Sequence, residues 1–118
     1  MNTTDFIKDL YSNAVDDKNV EHLSTFLSDN VLFRIGNYDP VRGKNAVLEA
    51  NRAFFNSITS MKHQIDNIWS QGEDVICNGS VHYIRLDGST HSATFATTLK
   101  LKNEKISDYL VYADLSQL

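Results

Sequence analysis

Cysteine is almost absent from the chain, since Cys77 is the only one among 118 residues. A single thiol forms neither an intrachain disulfide nor a cysteine-rich zinc site, so a reducing compartment fits the chain better than secretion. Runs of about 18 apolar residues, which a membrane span requires, are also absent. The first ten residues lack the basic and then apolar pattern of a signal peptide. We therefore expect a cytoplasmic protein with no membrane partner.

Positive charge is scarce as well. Eleven Lys and Arg residues stand against 15 Asp and Glu residues, which gives a net charge of -4. A nucleic-acid-binding protein needs a clustered basic face to neutralise phosphates, and no cluster of that kind is visible, so we expect no nucleic-acid partner. The composition, 42% hydrophobic and 22% charged, predicts a single domain over residues 1–118 that is long enough to fold around its own core.

Motifs for metals and cofactors are missing from the sequence. The four histidines show no metal-site spacing such as H-E-x-x-H. No glycine-rich phosphate loop, dinucleotide fingerprint or nucleophile elbow occurs. We therefore expect no metal and no other cofactor.

The first half of the chain carries helical periodicity. Apolar residues spaced by three and four predict a helix over 6–15, with cap candidates at 3–5, and a second helix over 19–27 that begins at Asn19. A short strand over 31–35 ends in the turn residues 36–40. The helical period then returns from 43 to about 59.

The second half of the chain alternates with a period of two residues. Turn residues interrupt the alternation at 71–74, 87–89 and 102–105, which predicts four strands joined by hairpins. The whole chain then has the order α-α-β-α-β-β-β-β, an α+β fold in which a cone-shaped, curved antiparallel or mixed sheet packs against three helices. Such a cone encloses a natural pocket.

The Asp87-Gly88 pair predicts the register of the central hairpin. If these two residues form a type I′ turn, Asn78 and His82 lie on the same sheet face as Thr97. The opposite face then carries an apolar set that suits a homodimer interface, because monomers rarely expose such a patch. Its members are Val75, Cys77, Val81 and Tyr83.

The last hairpin allows two registers. A two-residue loop at Asn103-Glu104 places Asp108 on the pocket face opposite Leu99. A three-residue loop with a bulge places Tyr109 on that face instead, together with Ser107, Val111 and Ala113.

The element order and two stretches of sequence resemble a known family. The stretch GNYDPVRGKNAV at 36–47 and the C-terminal stretch at 86–118, with its K-I-x-x-Y-x-x-Y-x-D ending, are similar to SnoaL-like proteins. These form a branch of the nuclear transport factor 2-like superfamily, which also includes ketosteroid isomerases and epoxide hydrolases. The resemblance implies the cone fold, a small-molecule ligand and a homodimer formed through the outer sheet face, and it favours Tyr109 over Asp108 on the pocket face.

The resemblance also has implications for single residues. Tyr11 stands where ketosteroid isomerases carry a tyrosine that donates a hydrogen bond to the enolate. Arg34, Thr97 and Val111 stand where members of the superfamily carry catalytic carboxylates. The family's machinery for proton transfer is therefore missing from this chain or moved within it.

These observations define a candidate site in the cone. Tyr11 and His82 are the candidate catalytic donor and base, and the candidate ligand-binding residues are Arg34, Asn78, Thr97 and Tyr109. We expect a small apolar or aromatic ligand that is either an anion or an enolisable carbonyl compound. The competing interpretations are a core role for Tyr11, solvent-facing positions for Arg34 and His82, and a non-catalytic domain that binds a ligand or dimerises.

Overall fold

The computed structural model describes residues 2–118, in which the predicted α+β fold is confirmed. Met1, the first residue of the predicted domain, lies outside the described residues. The helical elements are α1 (Thr3–Asp9), a π-helical segment (Leu10–Val15), α2 (Val20–Ser24) and α3 (Lys44–Asn56). The strands are β1 (Leu27–Ile35), β2 (Val41–Arg42), β3 (Ile58–Gln71), β4 (Asp74–Arg85), β5 (Thr90–Lys102) and β6 (Lys105–Ala113). None of the helices within 2–118 is long and apolar enough to cross a membrane.

All six strands belong to one curved sheet in the order β2-β1-β6-β5-β4-β3. Neighbouring strands are antiparallel except β1 and β6, which run parallel. The helices cover the concave face, where side chains such as Leu10, Val47 and Leu99 are almost completely buried. The core therefore lies inside the cone.

A bulge in β3 bends the sheet beside Gly79. The register against β4 shifts between Ile65 and Asn67, so Asp66 is the extra residue of β3. Gly79 pairs with Ile65, and a Cβ atom added to it would overlap the carbonyl oxygen of Gln64 and lie 2.9 Å from the carbonyl carbon. Bulges bend a strand and increase its twist. The bend thus needs a residue without a side chain on the facing strand.

Helix caps and strand ends differ slightly from the predicted ones. Asn19 caps α2 as predicted, because its Oδ1 accepts the backbone N–H of His22 at 3.0 Å. Asn2, and not the predicted 3–5 group, caps α1 in the same way. The second helix stops at Ser24, β1 begins already at Leu27, and the two-residue strand β2 follows the loop after β1.

The predicted register of the β4–β5 hairpin is wrong by one residue. The loop contains three residues, Leu86, Asp87 and Gly88, because the N–H of Arg85 donates to the carbonyl of Ser89 at 2.7 Å. Gly88 adopts a φ of 86° and donates to the carbonyl of Arg85, the geometry of a turn closed by a glycine bulge. A slip of one residue moves every side chain of one strand to the other face.

The β5–β6 hairpin combines parts of both predicted alternatives. Asn103 and Glu104 form a two-residue loop and both have positive φ angles, 52° and 62°. A register shift after Leu101 then makes Ser107 the extra residue, so Leu99 pairs with Tyr109. Tyr109 is consequently on the concave face, as the family resemblance favours.

Lys18 ties the helical half of the chain to α3 and β3. Its backbone adopts a left-handed φ of 53°. Its Nζ lies 3.3, 3.1 and 3.1 Å from the carbonyl oxygens of Phe55, Ile58 and Thr59. The ammonium group therefore satisfies the Phe55 carbonyl, which the end of α3 leaves without a helical partner, and binds two carbonyls at the start of β3.

Candidate functional site

A small cavity lies inside the cone, between the helices and the concave sheet face. Its volume is about 30 Å³, room for one or two water molecules. Most of its wall is aliphatic or aromatic. The polar side chains on the wall are Tyr11, Asn51, His63, Tyr83 and Tyr109. The cavity is therefore an apolar chamber with a few polar groups at defined places, as ligand sites usually are.

Tyr11, on the cavity wall, forms a buried pair of hydroxyl groups with Thr97 behind it. Their oxygens are 2.6 Å apart and either hydroxyl can donate. Burial is the main cause that holds the pKa of Tyr11 well above its ordinary value, and the nearby Tyr109 is the second cause. Burial likewise raises the pKa of Tyr109. The two tyrosine hydroxyls therefore keep their protons at neutral pH and can donate a hydrogen bond.

The π-helical segment directs Tyr11 and Asp16 to the same side of the chain. The N–H of Asp16 donates to the carbonyl of Tyr11 at 2.8 Å, a hydrogen bond across five residues. In an α-helix, residues five apart would differ in direction by about 140°. The wider π turn brings them nearly above one another, and such turns are frequent at functional sites.

Asp16 holds His63 through both carboxylate oxygens. Oδ1 lies 2.6 Å from His63 Nδ1, and Oδ2 accepts the backbone N–H of His63 at 2.9 Å. The side chains are only 8% and 14% exposed. A carboxylate only accepts hydrogen bonds, so the proton of the imidazole is on Nδ1.

The orientation of His63 leaves Nε2 for the cavity. Nδ1 is occupied by Asp16, and within residues 2–118 no hydrogen bond reaches Nε2. The ring packs against Tyr11 with centroids 4.5 Å apart and edge-on against Phe95 at 5.0 Å. These contacts fix the ring in position. His63 with Asp16 thus has the geometry of an oriented general base beside a tyrosine donor.

The structure brings together three of the six predicted site residues. Tyr11 and Thr97 are in contact, and Tyr109 lines the same cavity.

The predicted placement of the other three residues in the pocket is wrong. Arg34 is exposed on the outer side of β1, where its Nε donates to the carbonyl of Tyr38 at 3.1 Å. His82 is exposed and has its Nδ1 2.8 Å from Ser92 Oγ. Asn78 also faces outward and accepts a hydrogen bond from Asn67 at 3.1 Å. For Asn78 and His82 the cause is the one-residue register slip of the β4–β5 hairpin, whose loop gains Leu86, and Arg34 follows the simple alternation of β1.

The same slip moves the predicted dimer interface into the core. Val75, Cys77, Val81 and Tyr83 are between 0 and 3% exposed on the concave face. Burial raises the pKa of Cys77 to about 11 and that of Tyr83 to about 12. These four side chains therefore do not form an exposed patch, and the homodimer prediction loses the residues on which it was based.

Sequence reasoning missed Asp16, His63 and Asn51. One signal for His63 was present, because it shares its face of β3 with the apolar residues Met61 and Ile65, two positions before and after it. No comparable signal exists for Asp16, since its direction depends on the π turn. Asn51 is 8% exposed on α3 and donates its amide to the carbonyl of Val47 at 2.9 Å.

The charge of the cavity differs from the prediction. No Lys or Arg lies among its described lining residues. Burial raises the pKa of Tyr83, and the carboxylate of Asp16 raises it further. A bound anion would therefore find hydroxyl donors but no cationic side chain among the described lining residues. The residues that the structure describes contain no group of three metal-ligating side chains.

The model of the SnoaL-like domain family matches residues 7–109. The chain belongs to this SnoaL-like family. No protein of curated function is matched by its sequence.

Several solved structures share the SnoaL-like architecture of the chain. An NTF2-like protein of unknown function from Burkholderia pseudomallei has a TM-score of 0.86 at 14% identity, with 97% of this chain and 92% of that chain covered. A protein with a ketosteroid isomerase-like fold from Catenulispora acidiphila, in complex with trimethylamine, has a TM-score of 0.85 at 15% identity and coverages of 98% and 89%.

An LEH-like epoxide hydrolase from M. tuberculosis has a TM-score of 0.79 at 16% identity, with 97% and 86% covered. At these identities the likeness concerns the fold, which hosts several activities.

Proposed function

We propose that this SnoaL-like domain binds a small, mainly apolar ligand in its cone and catalyses proton transfer on it. His63 Nε2 is the base, Asp16 orients the imidazole, and Tyr11, backed by Thr97 and Tyr109, donates a hydrogen bond to the ligand oxygen that gains negative charge. The observation that supports this proposal is the 2.6 Å contact between Asp16 and His63 at the wall of a mostly apolar cavity.

The favoured substrate is a neutral, enolisable carbonyl compound. Removing a proton next to a carbonyl creates an enolate, and a hydroxyl donor near the oxygen stabilises that charge. An apolar chamber strengthens the interaction because little water competes for it. The anionic alternative has lost its support, since the guanidinium of Arg34 lies outside the cone.

Acetophenone in D2O provides a direct test. Its methyl protons exchange for deuterium through the enolate, and proton NMR follows their loss. We expect the exchange rate above the buffer rate to fall by roughly 100-fold or more in His63→Gln. The matched control is His82→Gln, which removes an exposed histidine and should leave the rate unchanged. Equal rates in wild type and His63→Gln, or a loss in His82→Gln alone, would reject the assignment of the base.

A second candidate function is a SnoaL-like module that binds its ligand without catalysis. Two observations favour it: the cavity has only about 30 Å³, and the Tyr11 hydroxyl already has a partner in Thr97. Ligand-induced changes in the amide NMR spectrum without any deuterium exchange would support this candidate over the enzyme.

We also propose a homodimer through the outer sheet face, now based on different residues. Trp69 pairs with Ile76, and Ile76 continues across the sheet through Thr98 to Leu110. Trp69 and Ile76 are 52% and 42% exposed, and Tyr112 on the same face is 58% exposed. Light scattering should give a dimer mass for the wild type and a monomer mass for Ile76→Asp. A monomeric wild type at micromolar concentration would reject this proposal. We further propose a cytoplasmic location, which detection of the protein in the secreted fraction would reject.

A further inference from the structure

A second concavity lies on the surface directly behind one wall of the inner cavity. It is a groove of about 300 Å³ between α3 and the β1–β2 connection, with a mostly apolar lining that includes Tyr38, Val41 and Ala53. Three side chains border both the groove and the inner cavity, namely Phe33, Ile35 and Phe54. The two spaces therefore share a partition made of these side chains.

The volumes of the two spaces imply that one ligand occupies both of them. Ligand pockets usually have about 300–1,000 Å³. The inner cavity, at about 30 Å³, admits a polar group but not the body of a metabolite. The groove alone reaches the lower end of that range. A ligand whose reacting end touches His63 must therefore extend across the partition into the groove.

Phe54 is the member of the partition that can move. Phe33 is 5% exposed and packs edge-on against Tyr109 at 5.3 Å. Ile35 is a β-branched residue on a strand with neighbours on both sides, which restricts its rotation. Phe54 is only half-buried in the last turn of α3, and its edge-on contact with Tyr83 is longer, at 6.2 Å. A change in one side-chain torsion would connect the two spaces.

We infer that the groove is the second subsite of the ligand and that Phe54 separates it from the base. The inference rests on the proposed function and names the ligand class more closely. The ligand is neutral, because no Lys or Arg is found among the described residues that line either space. It has an enolisable carbonyl at one end and an extended apolar part that lies beside Ala53.

Two ketones with the same reacting end test this subsite. Both would place the acetyl group beside His63 and the phenyl ring across the partition, and 4'-butylacetophenone adds a chain of four carbons that would lie farther along the groove. Full burial of four CH2-sized groups would give roughly 100-fold tighter binding. We expect the Kd of the butyl compound, measured by amide NMR titration, to be at least about tenfold lower.

Substitutions on α3 separate the groove from the inner site. Ala53→Phe fills the part of the groove where the butyl chain would lie, so the preference for the butyl compound should fall below about threefold. Ala46→Phe is the matched control, because Ala46 is exposed on the same helix but does not border the groove. Phe54→Ala should speed the binding of both ketones and keep the preference for the longer one.

The outcomes distinguish the two levels of the proposal. Exchange of acetophenone with no preference for the butyl compound, or a preference that persists in Ala53→Phe, overturns the subsite and leaves the proposed function intact. Absence of both binding and exchange for the two ketones overturns the proposed function and the subsite with it.

Discussion

Replacing Gly79 by alanine tests whether the bend of the sheet depends on the contact between β3 and β4. The added Cβ would overlap the carbonyl oxygen of Gln64 and lie 3.1 Å from the N–H nitrogen of Asp66. Both partners are backbone atoms, so no side chain can rotate away. The two strands must separate at the bulge, which would break two or three ladder hydrogen bonds and strain the neighbours.

The expected loss follows from these contacts. Each lost hydrogen bond costs about 1 kcal/mol, and overpacking in a buried region adds about 1–3 kcal/mol. We therefore expect Gly79→Ala to lower the free energy of unfolding by about 4 kcal/mol, a large part of the total of about 5–15 kcal/mol. With a urea slope of about 1.5 kcal/mol per M, the unfolding midpoint would fall by about 2.5 M.

Gly72→Ala is the matched control for this experiment. Gly72 has a φ of 60° but open space around the position of a Cβ atom. Its substitution should therefore cost only about 1–2 kcal/mol through the left-handed backbone. Urea unfolding followed by circular dichroism compares the two variants. If Gly79→Ala is no less stable than Gly72→Ala, the close approach of the strands does not determine the bend.

Three further predictions concern buried or paired groups. The fold should lose stability as the pH rises from about 10 to about 12. Burial raises the pKa of Tyr11, Tyr109 and Tyr83, the last to about 12, so the unfolded chain loses these protons before the folded chain does. Absorbance at the phenolate band measures ionisation and circular dichroism measures unfolding, and ionisation of all five tyrosines before unfolding would contradict this prediction. Cys77, with its pKa raised to about 11, should resist iodoacetamide at about pH 8 until guanidinium unfolds the protein, and rapid alkylation of the folded form would refute its burial. Lys18→Met should lower the free energy of unfolding by about 1–3 kcal/mol through loss of three hydrogen bonds to carbonyls, and an unchanged urea midpoint would show that these contacts contribute nothing.

The order of elements was predictable because local patterns determine it. Helical and alternating periods, together with clusters of turn residues, predict the three helices and the four strands of the second half of the chain. Strand β2 was not predicted, since two residues give no period. Leu27 was assigned to a helix because its apolar neighbours fit both periods, and pairing with β6 decides in favour of the strand.

The candidate site depended on details that a single sequence does not determine. One extra loop residue at Leu86 reverses the face of β4, which removed His82 and Asn78 from the pocket. A type I′ turn was expected where glycine is present, yet Asn103 and Glu104 form the loop with two positive φ angles. Such choices depend on the packing of the whole sheet and not on local preference alone.

The parallel pairing of β1 with β6 delays assembly of the protein during synthesis. Leu32 pairs with Asp108, and a ribosome that adds about 5–20 residues per second needs roughly 4–15 s to pass from one to the other. Until then β1 has only the two-residue β2 as a partner, and most of one edge is open to association with other nascent chains. Tyr109 arrives on the same late strand, so the wall around Tyr11 is completed only after β6 has left the ribosome.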